Sequence, residues 1–532
     1  MWAEAKYYAG MAAGVWSYAR HPRIADPAGE LRRRVEQREE SFLRLARKAA
    51  YGYPDSSVCR LLRLARCEYS DLEAMVRSRG LEATLRALCD AGVYVTHDEF
   101  KGRVPLIRHG VEVPGGEARF RNPLVSGGIE SRSSGSRSGG RGTPTPKSTA
   151  FQVYRDAHDE LWAEEYELRN AAWLQVRPIL PSTTGLSGAL RAGRMGRPLS
   201  QWFTIPASIA EAGHYRAATS FMVAIARLAG IQAPFPVPLP QNDFSPVARH
   251  IAEKLRQGQT CAVMAFASPA VRIAGAAIDL GLDLEGTTFF SGGEATTAAK
   301  RAVIARSGAR MCTIYHISEV GPIGYGCRQM QTGNDIHLLM DSVAVIARRR
   351  PAPLQDGAEV DSLAFTTLLP FAPRFLINAE MDDTGVIGSA DHSGCTFCRL
   401  GMTTVIREIA SFGKLTGQGM TLFGADLVGI LEQALPARFG GGPGDYQLVE
   451  RDLGSQTEVE LRVRPRVVSD AVPLEPLREY FLQQLKIYYG GRVAARVWNH
   501  AEALRVVRED PVTTYTGKIL PLALLGQERR RL

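Results

Sequence analysis

Three groups of residues have types and spacings that could do chemistry. The first is Gly292-Gly293-Glu294, followed a helix and a strand later by Tyr315-His316-Ile317-Ser318-Glu319. The second is the stretch from Arg132 to Lys147, which contains Ser134, Gly135 and Ser136 and no apolar residue. Glycines let backbone N–H groups converge on an anion, and hydroxyls and cations add charge-assisted bonds, so this stretch reads as a phosphate-holding loop. A flexible linker is the alternative, and no Gly-x-x-x-x-Gly-Lys-Ser/Thr pattern is present. The third group is Cys327, His337 and the pair in Cys395-Thr396-Phe397-Cys398. Two thiolates on one tight turn suit tetrahedral zinc, and Cys327 with His337 could complete the set; His392 is a rival nitrogen ligand. Four protein ligands leave no open position, so the zinc would be structural. Buried free thiols are the alternative.

The elements that must position these groups follow from the hydrophobic pattern. Cys261 to Phe266 and Thr287 to Phe290 are short apolar runs that read as buried strands. Ala267-Ser268-Pro269 opens a helix to about Leu280, Glu294 to about Ser307 suits another, and Met311 to Tyr315 is a third strand. This β-α-β-α-β order predicts a doubly wound parallel sheet, with Gly-Gly-Glu and Tyr-His-Ile-Ser-Glu at the carboxyl edge, where open α/β sheets bind ligands. Residues 1 to about 100 read as helical, with Phe42, Leu45 and Ala49, and then Val58, Leu61, Leu62 and Ala65, at core-facing spacing. They show no constellation that points to chemistry. Near the other end, Leu427 to Leu435 is amphipathic, Glu458 to Arg464 alternates as a strand, and Leu477, Phe481 and Leu485 recur at i+4. These predict a small α+β domain.

At 532 residues the chain has room for more than one domain. Its net charge of +9 is scattered, apart from Arg348-Arg349-Arg350 and Arg529-Arg530-Arg531, so a solvated surface is expected and nucleic-acid binding is not. The N-terminus carries Glu4 and lacks the pattern of a signal peptide. No run approaches the about 18 apolar residues of a membrane span. Eight cysteines in so long a chain fit a reducing cytoplasm better than a disulfide scaffold.

The Gly-Gly-Glu loop and the Tyr-x-x-Ser-Glu segment together resemble the adenylate-forming superfamily of ligases, and within it the phenylacetate–CoA ligase family. The resemblance spans roughly residues 50 to 525. It implies a large α/β adenylation domain, residues 1–412, with several sheets, and a small mobile α+β domain, residues 413–532. It implies that Gly293, Glu294, Tyr315 and Ser318 line the ATP site, with Tyr315 against adenine, the Ser318 hydroxyl on phosphate and Glu319 holding magnesium. The Ser134-Gly135-Ser136 loop is similar to the family's phosphate loop, but longer and with two extra arginines. Asp383 takes the place of the ribose-binding Asp, where a carboxylate can accept from both vicinal hydroxyls, and Asp382 stands where many relatives have Gly. Lys414 sits at the hinge where relatives have Arg, so the planar fork is lost. Thr516-Gly517-Lys518 resembles the catalytic tail of such enzymes. Some members of the family hold a structural zinc with a Cys…His…Cys-x-Cys set, one residue shorter between the last cysteines than here.

The resemblance implies two half-reactions: a carboxylate attacks ATP to give acyl-AMP and pyrophosphate, with Lys518 bridging carboxylate and phosphate oxygens, and the small domain then turns about Lys414. The acyl group would pass to CoA, or to an amine or hydroxyl of a second small molecule, as in family members that condense aryl acids toward benzoxazoles. Pocket walls are expected from Phe266, Ala267, Ser291, Gly292 and His316, with His214 in a region that helps form the acyl pocket. Glycines beside aromatics suit a flat aryl acid. The expected partners are a carboxylic acid, CoA or the second nucleophile, and a second copy of the chain. A basic, zinc-bearing binding protein with a decayed site is the competing class; Glu319, Asp383 and Lys518 argue against it.

Overall fold

A computed structural model describes residues 2–125, 129–132, 144–205, 212–240, 243–330, 334–351, 359–392, 394–411, 414–417, 420–452, 457–469, 471–488, 495, 498, 504–514 and 516–525. The apolar runs become the strands of one twelve-stranded sheet. Six of them are parallel: β1 (Ala172–Val176), β2 (Gln201–Thr204), β3 (Pro236–Pro238), β4 (Cys261–Phe266), β5 (Thr287–Gly292) and β6 (Arg310–Ile317). Their spatial order is β3-β2-β1-β4-β5-β6, so the chain reverses its direction of winding between β1 and β4. The sheet continues past β6 with antiparallel strands β7 (Gly321–Tyr325), β8 (Ile336–Leu338), β9 (Val343–Pro351), β10 (Glu359–Thr367), β11 (Ala379–Ser389) and β12 (Thr404–Ser411), in the order β7-β8-β12-β11-β10-β9. The doubly wound half is therefore as expected, and the antiparallel half extends it.

Helices cover both faces because strands apolar on both sides must be buried on both. One face packs on helices Trp2–Arg20, Thr149–Glu165, Thr184–Arg194 and Ala212–Leu228 through Trp162, Trp173, Trp202 and Phe290. The other packs on Ser245–Arg256, Ala267–Asp279 and Ala298–Arg306 through Val263, Ile273, Phe289 and Ile304. Residues 42–100 pack on the antiparallel half through Phe42, Leu62, Leu85 and Phe365.

Two boundaries differ from expectation. The helix after β5 starts at Ala298, not Glu294: Thr297 caps it by accepting from the Lys300 amide at 3.3 Å, which leaves Glu294 to Thr296 as a loop. Strand β6 runs on to Ile317. A second, four-stranded sheet has the order Leu504–Arg508, Thr457–Val463, Tyr446–Asp452, Leu522–Leu525. It has its own core of Leu427, Leu435, Leu461, Leu477, Phe481, Leu485 and Trp498, which takes up the apolar spacings seen in the sequence. No described helix is long and apolar enough to cross a membrane.

Candidate active site

The carboxyl ends of β4, β5 and β6 form the floor of a crevice. Gly292 pairs with Ile314 across β5 and β6. A Cβ on Gly292 would stand 2.1 Å from the Ile314 carbonyl oxygen, so the floor closes only with glycine there. The turn that follows needs Gly293 at φ +76°.

Lys518 reaches into this crevice from the small sheet's unit. Its turn is tight: the Gly517 amide donates to the Thr514 carbonyl at 2.7 Å, and the Lys518 amide donates to Thr514 Oγ1 at 3.1 Å. Gly517 has φ +82°. From that turn Lys518 Nζ donates to the Gly293 carbonyl at 2.9 Å and lies 4.7 Å from the centroid of the Phe266 ring. The ammonium is buried, and burial pulls its pKa below the usual lysine value, with Glu294 opposing. Glu294 accepts from the Ser268 amide at 3.3 Å and from the Ser268 hydroxyl. Burial raises its carboxyl pKa, and Lys300, Ser268 and Lys518 pull it back. The docked arrangement is held by further contacts. The Ile519 amide donates to Ser268 Oγ at 3.3 Å, and Glu432 meets Lys300 at 2.9 Å and the Thr297 hydroxyl at 2.5 Å.

Beyond β6 the residues expected to meet a nucleotide also converge. The Tyr315 hydroxyl donates to Asp383 Oδ2 at 2.6 Å. Asp382 has φ +61°, a left-handed backbone that glycine adopts more readily, and its Oδ2 lies 2.9 Å from His97 Nδ1. Ser318 and Glu319 lie in the turn between β6 and β7. Glu319 Oε1 is met by Lys101 Nζ at 2.8 Å, and Lys101 also reaches Glu117 at 2.5 Å. His97, Lys101 and Glu117 were not singled out in the sequence. They come from about 200 to 285 residues away in the chain, and no local pattern marks them.

Of the expected pocket walls, Phe266, Gly292 and His316 are half-buried at the crevice, whereas Ala267 and Ser291 are fully buried in the core and offer no surface. His214 is an exposed residue beside the N-terminal helix, where its Nε2 lies 3.0 Å from the Tyr8 hydroxyl. It is a wall of the helix–helix contact, not of the crevice. Ser134, Gly135 and Ser136 lie outside the described residues; the strands Ile129–Arg132 and Pro144–Lys147 that flank them pair antiparallel. Lys414 opens the strand Lys414–Gly417, and its side chain is likewise outside the description.

The metal-ligand types gather, with one exchange. Cys327, His337, His392 and Cys395 bring their ligand atoms within 4.8 Å of one another. Cys327 Sγ is 3.5 Å from His392 Nδ1, and Cys395 Sγ is 3.5 Å from His337 Nε2. A tetrahedral zinc with ordinary bond lengths sets sulfur and nitrogen about 3.6 Å apart. His337 Nδ1 donates to the Met402 carbonyl at 2.9 Å, which leaves its Nε2 lone pair facing the cluster. Cys398 is not in the set. Cys395 caps a single helical turn, Thr396–Arg399, and the Cys398 sulfur turns back to accept from the His392 amide at 3.4 Å. Both His337 and His392 therefore face the cluster, and Cys398, the third cysteine of the expected set, supports the His392 backbone.

The sequence matches no protein-family model, and no curated protein matches it. Solved structures do. A 2-hydroxyisobutyryl-CoA ligase in the postadenylation state, in complex with R3-HIB-AMP, superposes with a TM-score of 0.54 at 15% identity, over 92% of this chain and 88% of that one. The same ligase with 2-HIB-AMP gives 0.53 at 15% identity and the same coverage. The chain therefore shares the fold of these structures over most of its length.

Proposed function

We propose that this protein is an ATP-dependent ligase that activates a carboxylic acid, of aryl type, as its acyl-AMP and passes the acyl group to CoA. One observation carries the reading: the buried Lys518 ammonium, delivered by a separate unit to the Gly293 carbonyl at the ends of the parallel strands. A cation fixed there in advance meets the charge that develops when a carboxylate oxygen attacks phosphorus, without solvent having to reorganise. Asp383 and Tyr315 are suited to the ribose and base, and the hinge near Lys414 would let the tail withdraw before the second step.

Magnesium would supply charge neutralisation on the phosphates. Glu319 is its expected holder, and the chain's own Lys101 already meets that carboxylate. Glu319 becomes free for a divalent cation when Lys101 keeps only its bond to Glu117. Zinc fits the Cys327–His337–His392–Cys395 cluster as a closed structural site that ties the β7–β8 region to the segment before β12.

The test is pyrophosphate exchange into ATP, screened over aryl and aliphatic acids, with Lys518→Ala as control. The reading expects acid-dependent exchange that Lys518→Ala abolishes. Absence of exchange with every acid, on protein that is folded by calorimetry, would overturn it.

A further inference from the structure

The winding of the parallel strands reverses between β1 and β4, and ligands of open α/β sheets bind at that point, beyond the carboxyl ends. Two residues occupy those ends. Phe266 closes β4, and Arg177 directly follows β1. Successive strand residues alternate faces, so Trp173, Gln175 and Arg177 share the face covered by the helices Thr149–Glu165 and Thr184–Arg194. Those helices contribute Arg155 and Arg191 to the same region, where Arg177, Arg155 and Arg191 act on one another's charge.

Three guanidiniums gather here around one carboxylate. Asp159 is already taken, by Arg191 Nε at 2.5 Å and Trp162 Nε1 at 3.2 Å. The next carboxylate, Asp156, is held by Arg194 at 2.9 Å and the Tyr18 hydroxyl at 2.5 Å. Among the described residues neither Arg155 nor Arg177 forms an ion pair, and the Nε of each is buried without an acceptor. Arg155 does meet the Tyr325 hydroxyl, but a neutral phenol brings no counter-charge. Burial, then Arg191 and Arg155, pushes the Arg177 pKa down to about 9. Both arginines are half-buried with the Nε sealed, and a guanidinium so desolvated with no counter-charge is expensive; proteins keep such groups where an anion arrives.

The site is separate from the nucleotide side. Three strand spacings, about 14 Å, lie between β1 and the β6 strand that carries Tyr315. It is not separate from Lys518. Arg177 Cζ lies 5.7 Å from the Phe266 ring centroid, and Lys518 Nζ lies 4.7 Å from the same ring. An acid with its reacting carboxylate at Lys518 would therefore run past Phe266 with its far end toward Arg177. Arg177 on Phe266 and Arg155 on Phe151, at 5.9 Å, are both cation–π contacts near the limit of that interaction, and neither ring supplies a counter-charge.

We propose that the acid accepted by this crevice carries a second carboxylate at its far end, bound by Arg177 and Arg155, so that dicarboxylic acids are preferred over apolar acids of the same size. This rests on the ligase reading. The test measures pyrophosphate exchange with two matched pairs, benzoate against isophthalate and hexanoate against adipate, in wild type, Arg177→Met and Arg177→Lys. Thermal upshift by isophthalate and by adipate without ATP is measured on the same proteins.

The dicarboxylic member of at least one pair is expected to lead by tenfold or more in wild type. Arg177→Met should invert that order, Arg177→Lys should retain part of it, and the upshift should vanish with Arg177→Met. Wild type favouring the monocarboxylic member of both pairs overturns the inference while leaving the ligase reading intact. So does an equal loss for both members in Arg177→Met, which would place the arginine on the reacting carboxylate or in the fold alone. Should no acid support exchange, the upshift decides: its presence in wild type and loss in Arg177→Met supports the anion site and sinks the ligase, and its absence sinks both.

Discussion

Gly293→Ala tests the docked tail lysine with a single methyl group. An added Cβ would stand 2.9 Å from Lys518 Nζ and 2.9 Å from Phe266 Cδ1, at a backbone φ of +76°. Two effects follow. Left-handed backbone at a residue with a Cβ costs about 1–2 kcal/mol, so the melting temperature should fall by a few degrees while the fold survives. The larger effect is on Lys518. Its Nζ is the far end of a flexible side chain, so it yields more easily than the backbone and gives up its bond to the Gly293 carbonyl. Losing one prearranged donor at a developing charge costs about 100- to 1,000-fold in rate, or about 2.7–4 kcal/mol. The expected result is a fall of that order in pyrophosphate exchange. Thioester formation from supplied acyl-AMP should change far less, because the role proposed for the tail lysine lies in the first half-reaction. Exchange at the wild-type rate would show that Lys518 does not work from the place where it is seen. Equal loss in both half-reactions would show that the glycine matters to the crevice as a whole and not to the lysine.

Other outcomes are expected from the same geometry. Lys518→Ala should remove adenylation and largely spare the second step, read by the same pair of assays. Exchange should decline as pH rises through the Lys518 pKa, which burial sets below the usual 10.5: the protonated form is the working one, so the loss comes on the alkaline side and at lower pH than an exposed lysine would give. A shift of that limb to pH values above 10.5 would contradict it. Lys101→Met frees Glu319, so half-maximal exchange should need less magnesium; a need for more would mean that Lys101 helps to hold the metal site together. Zinc content measured by mass spectrometry of the metal should fall in Cys395→Ser and His392→Ala and stay near one per chain in Cys398→Ser. Chelation should lower the melting temperature without stopping exchange at temperatures where the protein remains folded.

How much of this was legible in the chain depends on where the information lies. Strands β4 to β6 were readable because a strand buried on both faces is a bare apolar run, and Gly-Gly directly after such a run marks the place where the strand opens onto a loop. The tail was readable for a different reason. Thr516-Gly517-Lys518 combines a residue that needs φ +82° with the one cation that enters the crevice from the small sheet's unit among the described residues, so geometry and chemistry fall in adjacent letters. The helix start misled because the Ala/Lys/Arg run that begins at Ala298 was extended back over Glu294-Ala295-Thr296-Thr297, where Glu and Ala also favour helix. What stops the helix is tertiary: Glu294 is drawn to Ser268, and Thr297 supplies the cap.

The residues that were missed share a property. His97 against Asp382, Lys101 against Glu319, and Arg177 beside Arg155 and Arg191 are pairings across the fold, and each partner is an ordinary charged residue where it stands in the chain. The metal cluster shows the same limit from the other side. Cys-x-x-Cys is a strong local signal, yet one turn of helix carries the second sulfur away from the centre and His392 takes its place. Local patterns thus marked the groups expected to touch the nucleotide, which many acids would share. The groups facing the far end of the acid come together only when β1 is laid beside β4. On the proposed reading, substrate choice is carried by that second kind of residue. In this chain it is arginine, so specificity for charge is the feature that sequence alone was least able to reveal.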